Sequence, residues 1–169
     1  LYMMPSGSAP FGGRSALFNF QEGIISAICE YHAAIYKKID PELAGAFKRQ
    51  AHLSAVEVKK HFTDAVEPFH IKNRFPLGSR MGCEEYGYFD KYMVTMGSWA
   101  MLAWRFADES VDVATDKPPP SSFTTTPDFH FVFLRAGDYS AQFDYNADAH
   151  YDCDGLGRVQ RRGAPSAIC

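Results

Sequence analysis

Apolar residues recur at helical spacing through most of the chain and at alternate positions near its end, so the pattern predicts helices followed by strands. The first helix is expected over about residues 15–39, after Gly12 and Gly13, which allow a tight turn, and with Ser15 as its cap. Residues three and four apart share a helix face. Ser15, Asn19, Glu22 and Ser26 therefore form a polar stripe, and Leu17, Phe20, Ile24, Ile28, Tyr31 and Ile35 an apolar one. Because the segment is mostly hydrophobic, both stripes are expected to be covered at least in part by other protein.

Asp40-Pro41-Glu42 ends this helix and starts a second, with Asp40 as N-cap and Pro41 at the first helical position. Leu43, Ala46, Phe47, Ala51, Leu53, Val56 and Val58 carry the apolar period to about Thr63, while Lys48, Arg49, Glu57, Lys59 and Lys60 are expected to form a solvated face. So short a turn between long helices makes an antiparallel αα-hairpin. Residues 64–85, with Pro68, Pro76 and several glycines, read as irregular. A third helix follows over about 88–107, where Tyr92, Met96, Trp99, Leu102, Ala103 and Phe106 recur and Gly97 weakens the pattern slightly.

The character changes at Asp116-Lys-Pro-Pro-Pro-Ser-Ser, since consecutive prolines cannot continue a helix and favour an extended linker. Phe129–Leu134 reads as a strand, Ala136-Gly-Asp138 as a turn, and Tyr139, Ala141, Phe143 and Tyr145 alternate with Ser140, Gln142, Asp144 and Asn146. Asp154-Gly-Leu-Gly157 turns again before a short basic strand. The expectation is an α+β chain: a helical region over 1–115, a Pro-rich linker over 116–127 and an antiparallel sheet region over 128–169.

Composition narrows the function classes. The 169 residues suffice for a sizeable core, and 46% hydrophobic with 15% aromatic residues marks a globular chain. A net charge of −3 gives no broad basic field, so a general nucleic-acid binder is not expected. Cys29, Cys83, Cys153 and Cys169 are far apart without a CxxC, which argues against a zinc ribbon or a dense disulfide scaffold. No apolar run approaches a membrane span. The start at Leu1 and the stop at Cys169 after a Gly-Ala-Pro-Ser turn suggest a piece of a longer protein.

Gly12-Gly13 lacks both phosphate-loop spacings, and no HExxH occurs. Asp148, His150, Asp152, Cys153 and Asp154 are metal-ligand types, but they match no recognised zinc spacing and such residues often share a polar turn without an ion; no cofactor is expected. Three groups carry more chemistry: Arg14 with Asn19, Gln21 and Glu22; His70-Ile-Lys72-Asn73-Arg74; and Arg80 with Glu84, Glu85, Tyr86, Tyr88 and Tyr92. Helix termini and a long loop could bring them into one cleft.

Such a set suits an anionic sugar. Arg and Lys pair with a uronate carboxylate, amides bind hydroxyls, and tyrosines offer a flat apolar surface with a polar edge. A glycoside hydrolase needs two carboxyl groups astride the bond, for which Glu22 with Glu84 or Glu85 is the pair to test. A lyase needs a base for the C5 proton, from His70, Tyr86, Tyr88 or His150, and a group that neutralises the uronate, such as Arg14, Asn19 or Asn73. The bland alternatives are a solvated basic loop at 70–74, tyrosines and Trp99 in a core, His32, His52 and His61 as structural or surface residues, and His130 packed in a strand.

Phe11-Gly-Gly-Arg-Ser15 with Asn19-Phe-Gln-Glu22, Glu42–Arg49, His70–Pro76, Gly82–Met93, Asp148–Asp152 and Gly155–Val159 resemble one group of bacterial polysaccharide-degrading enzymes. This group joins an (α/α) toroid to a large antiparallel β-sandwich, as in heparinase II/III-like and alginate-lyase-like proteins, and uronic-acid-releasing glycoside hydrolases share the plan. The resemblance runs from about residue 5 through most of the chain. It implies that the chain is the last toroid helices, a linker and the first sandwich strands, because three helices cannot close a toroid. It also implies a periplasmic or secreted setting, a polysaccharide or oligosaccharide substrate, and the remaining parts of a parent chain as partners. Hydrolysis is favoured, elimination by a Tyr/His pair comes next, and a non-catalytic glycan-binding or scaffold module of the same fold, or a complete α+β domain with an unrelated role, are the other classes.

Overall fold

The computed structural model describes residue 7 and residues 20–63, 90–115, 120–125, 130–146 and 154–161, with the backbone alone at 20, 60–63, 90–93 and 158. The chain is α+β. It divides into two compact units, Leu17–Thr115 and Asp116–Cys169 together with Leu1–Ala16.

The helical unit holds α1 (Phe20–Tyr36), α2 (Pro41–Thr63) and α3 (Asp90–Phe106). Residues 15–19 of the expected first helix lie outside the described residues. At its other end the helix stops three residues early, because the amides of Ile39 and Asp40 both turn back onto the Tyr36 carbonyl, at 2.9 and 2.8 Å. Asp40 then caps α2 as expected: its carboxylate accepts the Leu43 amide at 3.0 Å. The result is the expected antiparallel hairpin, in which the Ser26 hydroxyl donates to the Ala51 carbonyl at 3.2 Å and Lys48 meets Glu30.

Which stripe faces inward is the main surprise. On α1 the polar stripe is the covered one: Glu22, Ser26 and Glu30 are buried, whereas Ile28, Tyr31 and Ile35 of the apolar stripe are each more than two-fifths exposed. On α2, Lys48 and Glu57, expected in solvent, are buried, and Leu43 and Val56 are exposed. The physical reason is residue size. Ala27, Cys29 and Ala33 on α1 and Ala44, Gly45 and Ala51 on α2 are all buried. Small residues bring two helices close, and only side chains that reach along the seam, such as Lys48, fit beside them.

A strap over residues 107–115 closes one end of the hairpin. Val111 packs with Ala33 and Ala44 against Tyr36 and Phe47, and the Ala114 amide donates to the Gly45 carbonyl at 3.1 Å. Lys37 binds the Asp108 carboxylate at 3.1 Å. The Ser110 hydroxyl and amide, and then Lys37, hold the Asp108 carboxyl down at about 2. His32, read as structural or surface, stacks on Phe47 with ring centroids 5.1 Å apart.

The sheet unit is a meander in the order β1 (Ser121–Thr124), β2 (Phe131–Ala136), β3 (Tyr139–Asp144) and β4 (Gly155–Arg161), all neighbours antiparallel. β1 falls inside the stretch expected to be linker. Its four residues follow the prolines, and Phe123 and Thr124 suit a strand paired to β2. Gly137 turns the β2–β3 hairpin with φ 57°, in the left-handed region, and the tip is two residues long. β4 opens at Gly155, φ 115°, inside the expected turn. A register shift follows between Gln142 and Phe143, where Gly157 is the extra residue.

Directly paired residues share a face. One face carries Phe133, Ser140, Gln142, Asp144 and Gln160, all buried; the other carries Leu134, Tyr139, Phe143, Leu156 and Val159, all exposed. The alternation expected along β3 is present, but its burial is the reverse of an apolar-in strand.

The glycines give a stability test. A Cβ on Gly45 would lie 2.8 Å from the Asp112 carbonyl oxygen, so the strap backbone must move, whereas nothing lies within 4 Å of a Cβ on Gly97. Gly97→Ala is expected to stabilise the helical unit by about 1 kcal/mol through helix propensity. Gly45→Ala is expected to destabilise it by about 1–3 kcal/mol through overpacking. Urea unfolding followed by tryptophan fluorescence measures both, since Trp99 and Trp104 lie in α3.

Candidate functional site

Helix direction decides where the candidate residues can gather. α1 and α2 are antiparallel, as the Ser26–Ala51 and Glu30–Lys48 contacts require. α1 and α3 run the same way: Gly23 approaches Met96 and Trp99, and Tyr31 meets the Phe106 ring at 5.0 Å. The start of α1, the end of α2 and the start of α3 therefore share one end of the unit.

Glu22 sits at that end, in the first turns of α1, with 7% of its surface exposed, and Gln21 beside it is half-buried. Tyr92 lies in the opening turn of α3 at the same end; its side chain is outside the described residues. Arg14, Asn19, His70, Lys72, Asn73, Arg80, Glu84, Glu85, Tyr86 and Tyr88 also lie outside the described residues. They belong to segments 1–19 and 64–89, whose described borders, Phe20, Thr63 and Asp90, are the three helix termini of this end. His150, with Asp148 and Asp152, lies outside the described residues too. Among the described residues no cluster of three or more His, Cys, Asp or Glu side chains could hold a metal, and no helix is long and apolar enough to cross a membrane.

Sequence reasoning missed the charged seam that continues from Glu22. Glu30 extends the Glu22–Ser26 stripe by one more turn, and its carboxylate takes the Lys48 ammonium at 2.8 Å. Lys48 is 1% exposed and also reaches Glu109 of the strap at 3.3 Å. His52 Nε2 stands 3.9 Å from the other Glu30 oxygen. Burial alone would push the Lys48 ammonium down, but hydrogen bonds and charge from Glu30, and then from Glu109, outweigh it and hold the group above its ordinary value. A lysine held protonated is a fixed cation; it does not serve as a nucleophile or Schiff-base amine. The signal was available: Ala44, Lys48 and Ala51 fall on one face, and small residues flanking a lysine mark a close helix contact, not a solvated side.

A second polar group lies at one end of the sheet. His130 stands just before β2, not within a strand. Its Nε2 is 3.3 Å from the Asn146 amide nitrogen and its ring packs edge-on to Tyr145 at 5.8 Å. The Tyr145 hydroxyl donates to the Thr125 carbonyl at 3.3 Å. Imidazole, phenol and carboxamide together can bind hydroxyls.

Two outcomes follow from the buried seam. Lys48→Ala strands the Glu30 carboxylate and is expected to cost about 3–5 kcal/mol, while Lys48→Met combined with Glu30→Leu recovers most of that loss; denaturant titration of the helical unit distinguishes them. Burial also pushes the Cys29 thiol up from 9.0 to about 11. Its stabilising share is full below pH 9.0 and is lost as pH rises towards about 11. The Lys48 share, with a raised value, is lost only as pH climbs above 10.5. Melting temperatures from neutral to alkaline pH are therefore expected to fall from about pH 9 in the unsubstituted protein, and Cys29→Ala removes the earlier part of that fall.

Searches of family models, curated proteins and solved structures for a similar chain found no match.

Proposed function

We propose that the chain is a segment of a carbohydrate-active enzyme that degrades a uronic-acid-containing polysaccharide or oligosaccharide by glycosidic hydrolysis. In this reading α1–α3 are hairpins of an (α/α) toroid and the meander begins a β-sandwich. The cleft lies at the helix end where α1 and α3 start and α2 stops. One observation carries the reading: Glu22, a member of the carboxyl pair named for glycosidic cleavage, is buried at the helix end bordered by the two segments that bear most of the other candidates.

The roles follow from the chemistry of glycosidic cleavage. Glu22 serves as one carboxyl of the pair and Glu84 or Glu85 as the other, one donating a proton to the leaving oxygen while its partner activates water or attacks the anomeric carbon. Arg14, Lys72 and Arg80 supply cations for the uronate; Asn19, Gln21 and Asn73 take hydroxyls; Tyr92 offers a stacking surface.

The test is incubation of the protein with uronate-containing glycans while reducing ends and the ultraviolet absorbance of a conjugated double bond are both followed. New reducing ends without absorbance support hydrolysis, and Glu22→Gln is then expected to lower the rate by about 10²–10⁴-fold with the helical unit still folded. Ends that appear together with absorbance mean β-elimination and move the roles to His70, Tyr86, Tyr88 and His150. Binding without either product means a non-catalytic glycan-binding module.

A further inference from the structure

The sheet presents a row of aromatic side chains on its open face. Tyr139, Phe143 and Tyr145 stand at alternate positions of β3 and its continuation, all exposed, Tyr139 by 55%. Ala141 leaves a gap between the first two. Six strand steps separate Tyr139 from Tyr145, a run of about 20 Å. Leu134, Ala141 and Val159 floor a depression of about 360 Å³ beside Tyr139.

The two ends of the row differ in chemistry. At one end the Arg161 guanidinium lies 5.8 Å from the Tyr139 ring centroid, within cation–π range. At the other, His130 and Asn146 sit beside Tyr145. By register this face carries Ser122, Thr124, Val132, Leu134, Ala136, Tyr139, Ala141, Phe143, Leu156, Val159 and Arg161, so among the described strand residues it has a cation and no carboxylate. Asp144 belongs to the opposite, covered face. A layer that only needed to pack on another sheet would not require a guanidinium at the end of the row or an imidazole–carboxamide pair at the other.

We propose that this face binds an extended anionic oligosaccharide, its sugar rings lying along Tyr139, Phe143 and Tyr145 and one carboxylate held by Arg161. Flat aromatic rings take the C–H faces of sugars, the guanidinium fork takes a carboxylate, and His130 and Asn146 take hydroxyls at the far end. The proposal rests on the uronate-glycan reading above and adds to it a substrate-holding surface on the sheet unit.

Titration calorimetry of the whole protein with an oligogalacturonate, and with a neutral oligoglucan of equal length, tests it. The anionic probe is expected to bind more tightly, and more weakly as salt rises. Arg161→Met and Tyr139→Ala are each expected to weaken it by about tenfold, whereas Tyr139→Phe, which keeps the ring, leaves binding intact. Equal binding of Arg161→Met, Tyr139→Ala and the unsubstituted protein overturns the surface; if glycan cleavage persists in that case, the enzymatic reading stands without it. Loss of binding in these variants without loss of cleavage of a short substrate supports the surface. Failure of the unsubstituted protein both to bind and to cleave overturns both. A dimer in sedimentation that Tyr139→Ala with Phe143→Ala dissociates would assign the face to a second copy and overturn the proposal.

Discussion

An ammonium group can leave water inside a protein only if anionic oxygens replace its hydration, and the helical unit depends on meeting that requirement at Lys48. Glu30 from α1 and Glu109 from the strap converge on its nitrogen, at 2.8 and 3.3 Å. Three separate stretches of chain are thereby held to one point. The pair also fixes the helix register. Sliding α2 by one turn against α1 would leave both charges buried without each other, which a purely apolar seam would not penalise so sharply. The small residues beside the pair allow the close approach, and the close approach excludes water. Each condition depends on the other.

The same arrangement explains the exposed apolar stripe. With polar groups inside, Ile28, Tyr31 and Ile35 of α1 and Val94, Met101 and Trp104 of α3 are left facing outward, Trp104 by 79%. Apolar side chains left outward in this way are the material from which protein–protein contact surfaces are built. In the toroid reading these are the faces against which neighbouring hairpins pack.

Local signals were legible in the sequence wherever backbone chemistry decided the outcome. Asp40-Pro41 capped and opened α2, Gly137 turned the hairpin, and the apolar period placed the body of each helix. Facing was not legible. Periodicity shows which residues share a side but not which side is covered; amphipathic reasoning therefore put Lys48 and Glu57 in solvent, and the alternation along β3 left open which of its faces is covered. Small residues were the better guide, because Ala33, Ala44 and Ala51 mark the true contact. β1 was hidden by the prolines before it, whose composition resembles a linker. Of the candidate site, Glu22 and Gln21 stand at a shared helix end, and the seam that Glu22 begins, through Ser26 and Glu30 to Lys48, emerged only when α1 and α2 were seen together.

Among the described residues the meander has two outer strands, and neither is a ready template for another chain. β1 is four residues long, rich in Ser and Thr, and entered from Pro120, which has no amide hydrogen to offer. β4 is broken by a bulge at Gly157 and carries Arg158, Arg161 and the following Arg162 in its sequence. Short length, proline, irregularity and like charges all oppose strand addition. Growth of the sheet sideways, the route by which exposed strands form fibrils, is therefore discouraged along both of these strands, which leaves the broad side as the readier approach to the sheet.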